Sequence, residues 1–180
     1  MPVNPGEEES MRVLIAIMVL CFSALTASGQ GWTFSRDGVE YVIEFPSATW
    51  RALSRVDVHE HPEFVYGTDE LNGYLRLSKI LVEPGTSAAD LFQSEEKLRL
   101  QHLPGYVICD SCKGESFIGN LSGATFSYEY SDAGRVMVGR IYYLQVDTRT
   151  FYALRFTVAQ DRLPALREQM NSIARSFRLK

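Results

Sequence analysis

Residues 124–158, ATFSYEYSDAGRVMVGRIYYLQVDTRTFYALRFTV, constrain the fold more than any other stretch of this chain. Ala124, Phe126, Tyr128 and Tyr130 alternate with Thr125, Ser127 and Glu129, and a period of two marks a strand with one face turned inward. Ser131-Asp132-Ala133-Gly134 supplies a turn, residues 135–146 a second strand, Asp147-Thr148-Arg149 another turn and residues 150–158 a third strand. Connections this short join antiparallel neighbours, so a three-stranded meander is predicted.

A sheet with an apolar face needs a cover, and the chain ends in one. Leu163, Leu166, Met170, Ile173 and Phe177 recur at three- and four-residue steps, which places them on one stripe of a helix, with Arg167, Glu168, Asn171 and Arg175 facing away. Pro164 falls in the first turn, where its missing N–H matters little. A second helix is predicted over AADLFQSEEKLRLQHL: Ser87 and Asp90 form a capping box, Leu91, Phe92, Leu98 and Leu103 lie near one face, and Pro104-Gly105 stops the run. The stripe breaks at Glu95, so one side of that helix is expected to be wet. Upstream, Tyr41, Ile43 and Phe45 alternate up to Pro46, Trp50 opens a second segment and residues 73–82 a third. Strands, a helix, more strands and a helix make an α+β fold: an antiparallel β-sheet flanked by helices.

The first thirty residues have a different logic. From Met11 the chain reads MRVLIAIMVLCFSALTASGQG, with Arg12, an apolar run to Phe22 and then small residues, the order of a secretory signal peptide. Ala27 and Gly29 suit the positions before a cut ahead of Gln30, and the acidic MPVNPGEEES points to initiation at Met11. The apolar run is shorter than the roughly 20 residues of a membrane span, so cleavage is expected and an uncleaved anchor is the alternative. The expected division is a leader over 1–29 and one domain over 30–180, exported to the periplasm or the extracellular space. Without residues 1–29 the chain has 17 basic and 19 acidic residues, a net charge of −2. That balance gives no electrostatic reason to expect nucleic acid as a partner, or a membrane surface beyond the leader itself.

The order YVIEFPSATW, a capped central helix, Gly123-Ala124 leading an aromatic strand, a meander and a last helix closing on Ser176-Phe177 resembles the PsbP-like superfamily. That group spans photosystem II proteins, the Ran-binding Mog proteins and bacterial exported proteins of unknown function. The resemblance implies an α/β/α sandwich around an antiparallel sheet, and it brings no shared catalytic residues to transfer.

Three groups of residues are candidates for chemistry or binding. Cys109 and Cys112 have the C-x-x-C spacing of redox catalysts, zinc ligands and small disulfide loops. A redox pair sits at a helix N-terminus, whereas Tyr106-Val107-Ile108 reads as strand and Lys113-Gly114-Glu115 as turn. In an oxidising compartment a structural disulfide is the leading reading, with a thiol oxidoreductase using Cys109 as nucleophile the enzymatic alternative. On a strand His59 and His61 would share a face and suggest periplasmic metal binding, but two ligands do not complete a site, His102, Glu63 or the cysteines would have to supply a third, and a polar loop leading into Pro62 is the leading reading. No G-x-S-x-G elbow, phosphate loop or G-x-G-x-x-G is present. Finally, Tyr128, Tyr130, Tyr142, Tyr143 and Tyr152 fall on the meander, and Tyr128, Tyr130, Tyr142 and Tyr152 are the predicted binding surface for a protein or a small apolar ligand. The functional expectation is therefore a non-enzymatic accessory or binding module, with no cofactor and no metal. A thiol titration of the leader-free chain in denaturant without reductant should find neither Cys109 nor Cys112 free, and two reactive thiols there would remove the disulfide.

Overall fold

The meander is present, and the strands it contributes are the longest among the described residues. In the computed structural model, which describes residues 30–56, 61–109 and 117–180, strands run Trp32–Phe34 (β1), Tyr41–Phe45 (β2), Trp50–Val56 (β3), Pro62–Tyr66 (β4), Tyr74–Leu81 (β5), Val107–Ile108 (β6), Phe117–Ile118 (β7), Leu121–Asp132 (β8), Arg135–Asp147 (β9), Thr150–Ala159 (β10) and Arg178–Leu179 (β11). The α-helices among the described residues are Ala88–Leu98 (α1) and Leu163–Ser176 (α2). The larger sheet has the order β3-β4-β5-β10-β9-β8-β6, with β7 also paired to β8, and the smaller one the order β1-β2-β11. Every pairing is antiparallel.

The two-residue link between β8 and β9 pairs Asp132 with Arg135. Both central residues, Ala133 at φ +46° and Gly134 at φ +78°, are left-handed, the backbone that matches the natural twist of a hairpin. Strand β10 is then central: β9 lies on one side and β5 on the other, with Leu154 opposite both Tyr142 and Leu77. That β5–β10 pairing joins the two halves of the chain, and no local pattern in either strand announces it.

Pleating sends alternate side chains of β10 to opposite faces. Tyr152, Leu154, Phe156 and Val158 enter the larger core with Leu75, Leu77 and Tyr142, covered by Leu166, Met170, Ile173 and Phe177 at and just beyond α2 and by Tyr41, Ile43 and Phe45 of β2. Phe151 and Ala153 join Phe126, Tyr128, Ile141 and Tyr143 in a smaller core beneath α1. The layers are thus α1, the large sheet, and α2 with the small sheet, which adds a strand layer to the helix cover expected on that face.

The two covers differ in grip. Of the five residues of the predicted stripe, Leu166, Met170, Ile173 and Phe177 are buried and Leu163 is partly so, and the four buried side chains at about 1.5 to 3 kcal/mol each make α2 an integral part of the core. Within α1 only Phe92 is buried, and Leu98, expected on the covered face, is 75% exposed. Ser87 and Asp90 do form the predicted capping box, so α1 owes much of its definition to local bonds.

Close approach across β8 and β9 leaves one position no room for a side chain. The ring of Tyr128 lies over Gly139, its register partner, and a Cβ there would come within 2.1 Å of the ring. Gly139→Ala should therefore destabilise by about 1 to 3 kcal/mol, measured by denaturant unfolding, and Tyr128→Ala in the same chain should recover part of that loss.

Candidate functional site

The face of the meander beneath α1 carries the most unusual chemistry among the described residues. Phe92 of α1 stacks on Phe126 of β8, centroids 4.2 Å apart and planes within 4°. One turn on, Glu95 points at the sheet and meets Arg155 of β10 in a two-pronged pair: Nε donates to Oε1 at 2.9 Å and Nη2 to Oε2 at 2.7 Å. The Tyr143 hydroxyl donates to Oε2 at 2.6 Å, Arg99 adds a further bond to Oε1, and Nη1 of Arg155 donates to Ser78 Oγ at 3.0 Å. Both charged side chains are nearly enclosed, 12% exposed for Glu95 and 18% for Arg155.

This corrects the expectation that Glu95 marks a wet side of the helix. Burial opposes a charge on Glu95, yet the Arg155 bonds outweigh it and hold the carboxyl at about 2. Burial likewise pushes the Tyr143 hydroxyl well above its usual range, with Glu95 adding to the effect. Tyr143 therefore stays protonated and acts as a donor. The signal for this pair was in the sequence: Arg155 occupies the same face of β10 as Phe151 and Ala153, and an inward charge requires a counter-charge.

Beyond the ion pair, three tyrosines form a ladder toward the sheet edge. Tyr128 lies between Tyr106 and Tyr130, at 5.8 and 6.0 Å between centroids, and Tyr106 donates to Glu96 Oε1 of α1 at 2.7 Å. Tyr128 is buried, and that burial pushes its hydroxyl up to about 12, against the pull of Arg99. Tyr106 and Tyr130 are half-buried and form the outer rim of the ladder.

The predicted binding surface is divided by the pleat. Tyr128 and Tyr130 lie on the α1 face, whereas Tyr142 and Tyr152 lie on the opposite face, within the larger core. Register sets the division: Tyr142 pairs with Thr125, not Phe126, and Tyr152 pairs with Leu144, not Tyr143. Tyr142 is 2% and Tyr152 1% exposed. The Tyr142 hydroxyl donates to Asn171 of α2 at 2.6 Å, and Tyr152 packs 4.9 Å from Phe177 and donates to Glu40 at 3.2 Å. These two rings serve the core.

Cys109 follows β6, and its N–H donates to the Ser127 carbonyl at 3.0 Å, which extends the β6–β8 pairing by one residue. Cys112 lies outside the described residues, as does His59. His61 packs against Tyr41 and Tyr152 at 5.9 and 6.3 Å. His102 closes the 3-10 turn after the first helix, and Glu63 is buried in β4. Among the described residues no three His, Cys, Asp or Glu side chains converge on a metal position, and no helix is long and apolar enough to cross a membrane. A cleft of about 360 Å³ also opens between the small sheet and α2, lined by Trp32, Phe45, Pro46, Glu44, Ser172 and Ser176.

No protein-family model matches the sequence, and no curated protein does. Solved structures do match. The Ran-binding protein Mog1p of Saccharomyces cerevisiae superposes with a TM-score of 0.62 at 9% identity, over 84% of this chain and 96% of its own. The cyanobacterial PsbP of Synechocystis gives 0.56 at 11% identity, over 87% and 96%. The chain has the PsbP-like fold. A third PsbP-like structure, LpqN of Mycobacterium tuberculosis, involved in cell envelope biogenesis, gives 0.56 at 19% identity over 84% and 91%. At these identities the likeness is one of fold, and it agrees with the arrangement that YVIEFPSATW, the capped helix and the meander implied.

The Glu95–Arg155 pair has a consequence for stability against pH. An ordinary glutamate carboxyl titrates near 4.5 and Glu95 near 2, so its contribution is complete above pH ~4.5 and is lost as pH falls toward 2. A shift of this size corresponds to about 3 kcal/mol. Unfolding free energy should decline over that window. Glu95→Gln should remove this part of the decline and lower stability at pH 7 by about 3 to 5 kcal/mol, because Arg155 loses its counter-charge.

Proposed function

We propose that this chain is an exported, non-enzymatic accessory module that acts through protein contacts, with the Tyr106–Tyr128–Tyr130 ladder as the contact surface. The carrying observation is the ladder itself: two half-buried phenols, Tyr106 and Tyr130, flank a buried one at the edge of a sheet that is packed on both faces. Tyrosines held in this way offer a partner apolar area together with a hydroxyl, and they lose little entropy when they bind. The fold supports the reading by analogy, since Mog1p is a Ran-binding protein and LpqN acts in cell envelope biogenesis. The leader-like residues 11–29 support export.

In this reading Cys109 and Cys112 form a structural staple. Cys109 is already tied to β8 through its backbone, and a short disulfide loop there would stiffen the strand next to the ladder. The leader-free chain carrying a photo-crosslinker at Tyr130 should capture a discrete partner from the source organism's envelope fraction, and Tyr106→Ala with a crosslinker still at 130 should weaken that capture about tenfold without shifting the melting temperature by more than a few degrees. Undiminished capture by the Tyr106 variant would contradict the ladder as the contact surface.

A further inference from the structure

Among the described residues the large sheet holds two partly buried arginines, one per face, and they are partnered very differently. Arg155 has the Glu95 carboxylate. Arg140, on β9 opposite Ser127, has neutral oxygens: Nε donates to the Tyr142 hydroxyl at 2.6 Å, Nη1 to Ser127 Oγ at 3.1 Å and Nη2 to Asn171 Oδ1 at 3.4 Å. Its guanidinium carbon lies 5.2 Å from the centroid of the Tyr142 ring. Among the described residues Arg140 makes no ion pair, and two of its five N–H groups remain unused.

A guanidinium drawn partly out of water without a counter-charge is a cost to the fold, and the surroundings maintain it. Two carboxylates of this region bond to side-chain amides rather than to Arg140: Glu168 accepts from Asn171 Nδ2 at 3.2 Å and Glu129 from Gln160 Nε2 at 3.1 Å. Arg175 of α2 adds a second positive charge close enough to act on the Tyr142 hydroxyl, as Glu168 also does. Ser127 and Tyr142 are buried, and their hydroxyls fix the arginine from below. One N–H on each of Nη1 and Nη2 is left for a further acceptor, and a carboxylate is the group a guanidinium binds most strongly.

The same face offers an apolar neighbour. Val107 of β6 pairs with Glu129, two residues along β8 from Ser127, and so shares the pleat face of Ser127 and Arg140. It is 61% exposed. A cation and an exposed valine on one face, with β8 between their strands, fit an extended protein segment that alternates acidic and apolar side chains better than they fit a free ion. We propose that Arg140, supported by Arg175, is a recognition site for a carboxylate on an acidic segment of a protein partner. This site lies on the opposite face from the tyrosine ladder and does not depend on it.

The test titrates the full chain with a capped peptide alternating glutamate and leucine, with sodium acetate and inorganic phosphate as separate arms, and follows the Arg140 Nε–H resonance by NMR. The peptide should shift that resonance saturably, and Arg140→Lys, which keeps the charge and loses the fork, should weaken binding about tenfold. Arg175→Gln, at an exposed helix position, should weaken it about threefold without any change in fold, which keeps the test decisive even if the Arg140 variant unfolds. No saturable shift with the peptide would overturn the proposal. So would acetate or phosphate binding as tightly as the peptide, or an Arg175→Gln chain that binds the peptide unchanged.

Discussion

Strand β10 has water on neither side, and the rest of the molecule is arranged around that fact. Its even-numbered side chains, Tyr152, Leu154, Phe156 and Val158, are buried under α2 and the small sheet, while Phe151 and Ala153 face α1. A strand with two dry faces needs two covers. It also needs its neighbours on both edges, which is why β5, from the first half of the chain, completes a sheet whose other central strands come from the second. The closing helix and the early strand β2 meet on the same face, where Tyr41 stacks 5.3 Å from Phe177, so the two ends of the domain are tied through one core.

The two faces are held by different forces. Under α2 the contacts are apolar and continuous. Under α1 the aromatic stack of Phe92 on Phe126 is followed by a charged pair that is almost enclosed. A buried pair of this kind adds little net stability over apolar packing, but losing one partner is costly. It therefore acts as a positional constraint: Glu95 reaches the Arg155 guanidinium only when α1 sits in one register over β10. The tyrosine ladder runs along the edge of that same cover, with Tyr106 bonded to Glu96. The rim that faces outward is thus positioned by the helix that is held least by apolar burial.

Much of this was legible in the sequence because two periods are strong there. The step of two across residues 124–158 and the three-four step of Leu166, Met170, Ile173 and Phe177 are each long enough to outweigh local noise. Shorter elements left weaker traces: β1, β7 and β11 have two or three residues each, too few for a period. The tyrosines show a subtler limit. Alternation within one strand assigns its own two faces, but which face of β9 adjoins which face of β8 depends on register, and the pairing of Tyr142 with Thr125 is not written in either strand alone. Glu95 was misread because an acidic residue within an apolar stripe suggests water. Its partner Arg155, sixty residues away, supplies the opposite explanation.

Native-state hydrogen exchange tests the asymmetry between the two covers most directly. Amides of β10 and of α2 around Met170 and Ile173 should exchange only through global unfolding. Amides of α1 around Glu95 and Glu96 should exchange through a smaller opening, and lowering the pH from about 5 toward 2, corrected for intrinsic rates, should ease that opening as Glu95 takes up its proton. Helix α1 amides as slow as those of β10, with no response to pH, would contradict the account.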